Sequence, residues 1–180
     1  MRITKENTVG LMIDMQERLF PVMNEKETLL KNCQILYKGL VELNIPQVIS
    51  QQYTKGLGET LPEITAIFEN FEYIEKKDFS CWDAPEIKAK LQELGAKNII
   101  ISGIESHVCV LQTAVDMKEA GLNPIVVMDC VSSRSAANYE LAKERFRAEG
   151  ITMTSYESIL FELTRSAGAP EFRAISKLVK

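Results

Sequence analysis

The strongest constraint on the fold is a punctuation that recurs four times. Leu43-Asn44-Ile45-Pro46, Leu94-Gly95-Ala96, Ala120-Gly121-Leu122-Asn123-Pro124 and Glu149-Gly150-Ile151 each close a helical pattern, and an apolar run opens a few residues later. Asn or Gly at such a point supplies a left-handed C-cap, a conformation that other residues reach only at a steric cost. Helix, cap and strand in this repeat describe stacked βαβ units. Right-handed crossovers then place helices on both faces of one sheet. Short β-branched runs at 9–13, 47–50, 98–102 and 124–128 have the length of buried parallel strands, with weaker runs at 72–75 and 151–154. Leu29, Cys33, Leu36, Tyr37 and Leu40 recur at helical spacing, and further helices are expected at 62–70, 84–94, 107–120, 136–149 and 155–163, with a terminal helix within 168–180. The predicted fold is α/β: a doubly wound, mostly parallel six-stranded sheet with helices on both faces, formed by residues 1–180 as a single domain.

A chain of 180 residues buries roughly 70% of its unfolded surface as one unit. Its net charge of -4 excludes the broad basic face that grips DNA or RNA, so small molecules and proteins are the expected partners, with no nucleic acid. The N-terminal stretch Met1-Arg2-Ile3-Thr4-Lys5 opens no signal-peptide core, and no apolar run reaches a membrane span. A cytoplasmic protein without a membrane partner is expected. Cys33, Cys81, Cys109 and Cys130 form no CxxC pair. In a reducing compartment they are free thiols, either buried apolar residues or a nucleophile. A single histidine, His107, excludes a His-rich metal site.

In an open α/β sheet, ligands bind outside the carboxyl ends of the strands. Strand one ends at Asp14, strand three at Lys76-Lys77-Asp78, strand four in Gly103-Ile104-Glu105-Ser106-His107-Val108-Cys109, and strand five at Asp129-Cys130. A carboxylate, an ammonium and a thiol thus meet at one rim. Only a few per cent of an ordinary thiol is ionised at neutral pH. A helix N-terminus at Cys109, the ammonium of Lys76 and a base at Asp14 would each raise the thiolate fraction. His107 is an unsuitable base, because residues i and i+2 do not face each other on a helix.

At these residues the sequence resembles the isochorismatase-like cysteine hydrolases, and within them the isochorismatase-domain-containing branch. Five stretches carry the resemblance: Leu11-Met12-Ile13-Asp14-Met15-Gln16, Gln52-Tyr53-Thr54-Lys55-Gly56-Leu57-Gly58, Lys76-Lys77-Asp78-Phe79-Ser80, Gly103 through Val110, and Asp129-Cys130-Val131-Ser132-Ser133-Arg134-Ser135. The resemblance implies the Rossmann-like isochorismatase fold and a catalytic triad of Asp14, Lys76 and Cys109. Lys76 is preferred to Lys77 because the family's lysine precedes its aromatic-Ser pair by three positions. The resemblance also implies a cis peptide at Ile104–Glu105, an oxyanion hole from the amides of Glu105 and Cys109, and a homo-oligomer. Nicotinamidases of the superfamily carry an Asp-x-His metal motif after strand two. Ser50-Gln51-Gln52-Tyr53 lacks it, so no metal and no cofactor are expected. Isochorismatases proper lack the nucleophilic cysteine, so Cys109 points to acyl transfer. The implied function is hydrolysis of a small amide or related acyl C–N bond through a thioester on Cys109, with Phe20, Tyr53 and Trp82 walling the pocket.

Each assignment has a structural rival. Asp14 also suits a turn former, Lys76 lies in a charged run, and Cys109 is the size of a core residue. Cys130 shares a strand-end position but lacks the Gly-led turn and following helix, and reads as pocket wall or packing. Cys33 lies on an apolar helix stripe, Cys81 reads as structural with a place near the pocket as the alternative, and His107 as a polar turn residue or a subunit contact. Arg134 binds a substrate anion or pairs with a glutamate. The alternative function is a protein that keeps the fold but acts through protein contacts or as a redox-sensitive thiol.

Overall fold

The computed structural model describes residues 2–180. Six strands, β1 (Thr8–Ile13), β2 (Gln47–Gln52), β3 (Ile74–Lys76), β4 (Asn98–Ile104), β5 (Asn123–Ser132) and β6 (Thr152–Thr154), lie in the order β3-β2-β1-β4-β5-β6. Every neighbouring pair is parallel. The helices are α1 (Lys26–Glu42), α2 (Thr54–Leu57), α3 (Pro62–Thr65), α4 (Pro85–Glu93), α5 (Leu111–Glu119), α6 (Ala136–Ala148), α7 (Tyr156–Thr164) and α8 (Phe172–Leu178). Asn44, Gly95, Gly121 and Gly150 all have positive φ, from 56° to 82°, so the four expected caps set the crossovers.

Alternation along the strands builds the two layers. Met12, Ile49, Ile100 and Ile125 pack with Leu36, Leu40, Ile159, Leu160 and Ile175 of α1, α7 and α8. Their neighbours Leu11, Val48, Ile99 and Val126 pack with Ile87, Leu91, Ala114, Met117, Ala142 and Phe146 of α4, α5 and α6. Fully burying one such side chain contributes roughly 1.5–3 kcal/mol, and both faces of the sheet are lined with them. The strand order reverses between β1 and β4, which makes the carboxyl edge of that pair the crevice where ligands bind in such sheets.

Three expected elements differ. The segment 62–70 is helical only over Pro62–Thr65. Tighter bonds, from the amide of Ile67 to Ile64 O at 3.0 Å and from Phe68 to Thr65 O at 3.1 Å, close it, and Phe68 and Phe71 pack on the core as a chain of rings instead. The helix expected at 107–120 opens as a π-helical turn, Ser106–Val110, before α5. Strand β5 continues to Ser132, so Asp129-Cys130 is not its end. Ile101 pairs with Val126 but Gly103 pairs with Val131, which leaves a bulge on β5. The polar Asp129 interrupts the apolar pattern within that bulge. Its Oδ1 accepts the Tyr156 amide at 2.9 Å. Cys130 therefore lies inside a strand, fully buried, beside Cys33.

Gly103 sits where β4 meets β1. Its φ is 111°, and an added Cβ would fall 2.0 Å from Ile13 O. Gly103→Ala is expected to cost about 3 kcal/mol or more, since neither the clash nor the φ can relax by moving a side chain. Gly121→Ala, with φ 82° but no atom within 4 Å, is expected to cost only about 1 kcal/mol. Urea denaturation midpoints of the two variants check the difference.

Candidate active site

Asp14 follows β1 in a left-handed conformation, φ 52°. Its amide donates to Ser50 O on β2 at 3.3 Å, and the Ser50 hydroxyl donates to its Oδ1 at 2.7 Å. Lys76 is the last residue of β3 and pairs in register with Gln52 of β2. From β3 to β1 is two inter-strand spacings, about 9–10 Å, a gap that the lysine side chain crosses. Its Nζ donates to Asp14 Oδ2 at 2.7 Å, Gln52 Oε1 at 2.7 Å and Asp78 O at 3.2 Å. All three ammonium protons are used, and neither side chain of the ion pair meets solvent. Burial pulls the Lys76 pKa down, but the Asp14 charge and neighbouring thiol sites outweigh it and hold the value above the usual one.

Gln52 is itself held in place. Its Nε2 donates to Lys77 O at 2.7 Å. Its backbone is clamped by Gln16, whose Nε2 donates to Gln52 O at 3.0 Å and whose Oε1 accepts the Gln52 amide at 2.7 Å. Ser50 and Gln52, two residues apart on β2, direct their side chains to Asp14 and Lys76. Among the described residues, no three His, Cys, Asp or Glu side chains are grouped as a metal ion requires.

Cys109 comes from the opposite side of the strand-order reversal. After β4 the Ile104–Glu105 peptide is cis, and the π-helical turn carries Cys109 with 7% of its surface exposed. Glu105 O accepts the amides of Val108 at 3.1 Å and Val110 at 3.2 Å, one on each side of Cys109. The thiol does not have the lowered pKa that a helix start and an ammonium suggest. Burial first, then the Asp14 charge, push it up to about 12, while Lys76 acts in the opposite sense. These surroundings favour the neutral thiol.

The structure therefore brings together Asp14, Lys76 and Cys109. Lys77 is exposed, which separates it from its neighbour Lys76 at 2% exposure. Cys81 is also present, fully buried, its Sγ 3.7 Å from Ser50 Oγ; burial raises its thiol to about 11. Of the aromatic residues, Phe20 packs on the α1-side cluster and Trp82 on the α4-side cluster, with Lys88 Nζ 4.8 Å from the Trp82 ring. Tyr53 follows β2, 48% exposed, and its amide donates to Lys76 O at 3.0 Å. His107 Nδ1 bonds Ser133 Oγ at 2.9 Å and its Nε2 bonds Asn138 at 3.3 Å. Arg134 pairs with Glu105, its Nε 3.2 Å from Oε2. Ser50 and Gln52 were not singled out by sequence reasoning as site residues. The available signal was their i, i+2 spacing, which puts both polar groups on one face of a strand.

An α/β sheet with a thiol, a carboxylate and an ammonium near its strand-order reversal has its candidate reactive groups where such sheets bind ligands. The chain belongs to the isochorismatase domain family, which matches residues 8–158. It is 35% identical over 184 residues to the secreted isochorismatase effector Isc1 of Phytophthora sojae, covering 99% of this chain and 87% of that protein. It is 34% identical over 179 residues to isochorismatase domain-containing protein 2 of Danio rerio, covering 99% and 89%. The solved structure of the MAR1 ribonuclease from Caenorhabditis elegans superposes with a TM-score of 0.93 at 33% identity, covering 99% of this chain and 92% of that one. Among the described residues no helix is long and apolar enough to cross a membrane.

Lys76→Met leaves the buried Asp14 carboxylate without its cation and is expected to destabilise the protein by about 3–5 kcal/mol. Adding Asp14→Asn is expected to recover most of that loss, because the uncompensated charge is removed. Chemical denaturation of the two single variants and the double variant measures the coupling.

Proposed function

We propose that this protein is a cysteine hydrolase that cleaves a small amide or related acyl C–N bond through a thioester on Cys109. The observation that carries this reading is the buried Asp14 carboxylate, bonded at Oδ2 by Lys76, whose charge acts on the Cys109 thiol. In the reaction Asp14 accepts the Sγ proton as the sulfur attacks the carbonyl carbon. The carbonyl oxygen becomes an oxyanion, and the amides of Glu105 and Cys109 are its donors, each contributing about 3–4 kcal/mol. The bonds that Glu105 O takes from Val108 and Val110 leave the Cys109 amide outside that pair. The oxyanion collapses, the C–N bond breaks, and Asp14 returns the proton to the leaving amine. A water then gives Asp14 a proton and attacks the thioester carbonyl. The acid leaves, and Cys109 departs as a thiolate that takes the proton back.

Lys76 holds the Asp14 carboxylate through its Oδ2 and offsets charge on sulfur when the proton moves. No step calls for a metal or cofactor. Phe20, Tyr53 and Trp82 wall the pocket in this reading, and the small exposed area of Cys109 favours a slender substrate. The net charge of -4 favours small molecules over RNA, although a similar structure is a ribonuclease. Four free thiols favour a reducing, cytoplasmic setting, although one relative is a secreted effector. Association into a homo-oligomer belongs to the same proposal.

A panel of small amides, ureides and esters, with a short RNA as one arm, tests the reading. Turnover of an amide is expected, lost at least a thousandfold in Cys109→Ala, with an acyl adduct on Cys109 in the intact mass. Cleavage of RNA alone, or amide turnover that survives Cys109→Ala, would refute it.

A further inference from the structure

Lys76 carries its charge on a flexible stem with three rotatable donors, so its direction is set by the groups that accept them. Asp14 takes one proton at Oδ2, and the Asp78 carbonyl takes another at a longer 3.2 Å. Among the described residues, Gln52 is the one other side chain that bonds this ammonium, with Oε1 at 2.7 Å. Its carboxamide can face only one way. Nε2 meets Lys77 O at 2.7 Å, a carbonyl that only accepts, and Oε1 meets an ammonium that only donates. A flipped amide would oppose acceptor to acceptor and donor to donor. The backbone beneath is fixed as firmly. Gln16, fully buried, spends its carboxamide on the Gln52 carbonyl, the Gln52 amide and Gly58 O at 2.7 Å. The Tyr53 amide on Lys76 O keeps β2 and β3 in register. Gln52 thus stands beside the lysine stem while the stem runs on to Asp14. It is half-buried, and merely covering the lysine would need none of these bonds.

We propose that Gln52 is a positioning residue for the reaction: its Oε1 fixes the direction of the Lys76 ammonium, so that the cation is in place as negative charge passes from Asp14 to the Cys109 sulfur. The inference rests on the thiol-hydrolase reading of the site. Gln52 touches no reacting atom and acts only through Lys76. Without its oxygen the ammonium is free to turn about the Asp14 contact, and the same cation stabilises less of the developing charge.

The test follows acylation of the whole protein by p-nitrophenyl acetate, with nitrophenolate release for the rate and intact mass for the acetyl adduct on Cys109. Gln52→Met keeps the length and cover of the side chain but accepts no proton. Its acylation rate constant at saturating ester is expected to fall by about tenfold or more, while the half-saturating concentration stays within about twofold. Gln52→Leu, which also lacks an acceptor, is expected to show the same loss. Gln52→Glu keeps an oxygen facing the ammonium and is expected to acylate faster than either. Wild-type acylation by Gln52→Met or Gln52→Leu would overturn the inference. A loss carried by the half-saturating concentration alone would also overturn it, marking a distorted pocket. So would a Gln52→Glu rate no higher than that of Gln52→Met, showing that the acceptor oxygen is not what matters. If the wild type itself forms no adduct on Cys109, the thiol-hydrolase reading fails and this inference falls with it.

Discussion

The ion pair between Asp14 and Lys76 is the interaction on which the rest of the site depends. Both side chains are withdrawn from solvent, and removing two charges from water costs several kcal/mol per ion even after relaxation. Their mutual attraction offsets that cost only when the remaining donors and acceptors are also met. Here they are: Ser50 completes the carboxylate, while Gln52 and the Asp78 carbonyl complete the ammonium. Such a pair is poor evidence for stability, because well-packed apolar residues often serve as well. In the proposed reaction its role is chemical: it holds the acceptor for the thiol proton inside the protein interior.

The sheet topology makes that arrangement possible. With the order β3-β2-β1-β4-β5-β6, residues 14, 76 and 109 reach one edge although long stretches of chain separate them. β1 and β4 diverge in their connections at this edge and leave room above it. Gly103 lets their backbones approach just below. β2 lies between the two charged partners and supplies Ser50 and Gln52 as the polar bridge. A two-residue period on that single strand is enough to align both side chains with the ion pair.

Much of this was legible in the sequence, for identifiable reasons. Asn44, Gly95, Gly121 and Gly150 could be read as caps because a left-handed residue is restricted to few residue types. The central strands could be read because burial on both faces demands unbroken apolar runs. Asp14 and Cys109 stood out as polar or reactive residues at strand ends. The misreadings share a cause, which is tertiary contact overriding local pattern. Asp129 resembled a strand end, yet it sits in a bulge where the Tyr156 amide satisfies it. The residues after Thr65 had helical spacing, but their rings found better packing outside a helix. The Cys109 thiol was expected to be acidified by its surroundings. Depth of burial and the position of a carboxylate decide that question, and neither is a local property of sequence. Gln52 gained its role only through its register against Lys76.

In the proposed reaction Cys109 is a neutral thiol held in reserve by Asp14, and the rate of its alkylation by iodoacetamide between about pH 6 and 11 tests that most directly. The wild type should react slowly at neutral pH, with a rise only in the strongly alkaline range. Asp14→Asn removes the carboxylate that raises the thiol pKa, so the rise should move to lower pH and the variant should alkylate faster near pH 8. A profile that stays in place, or moves to higher pH, would contradict the account.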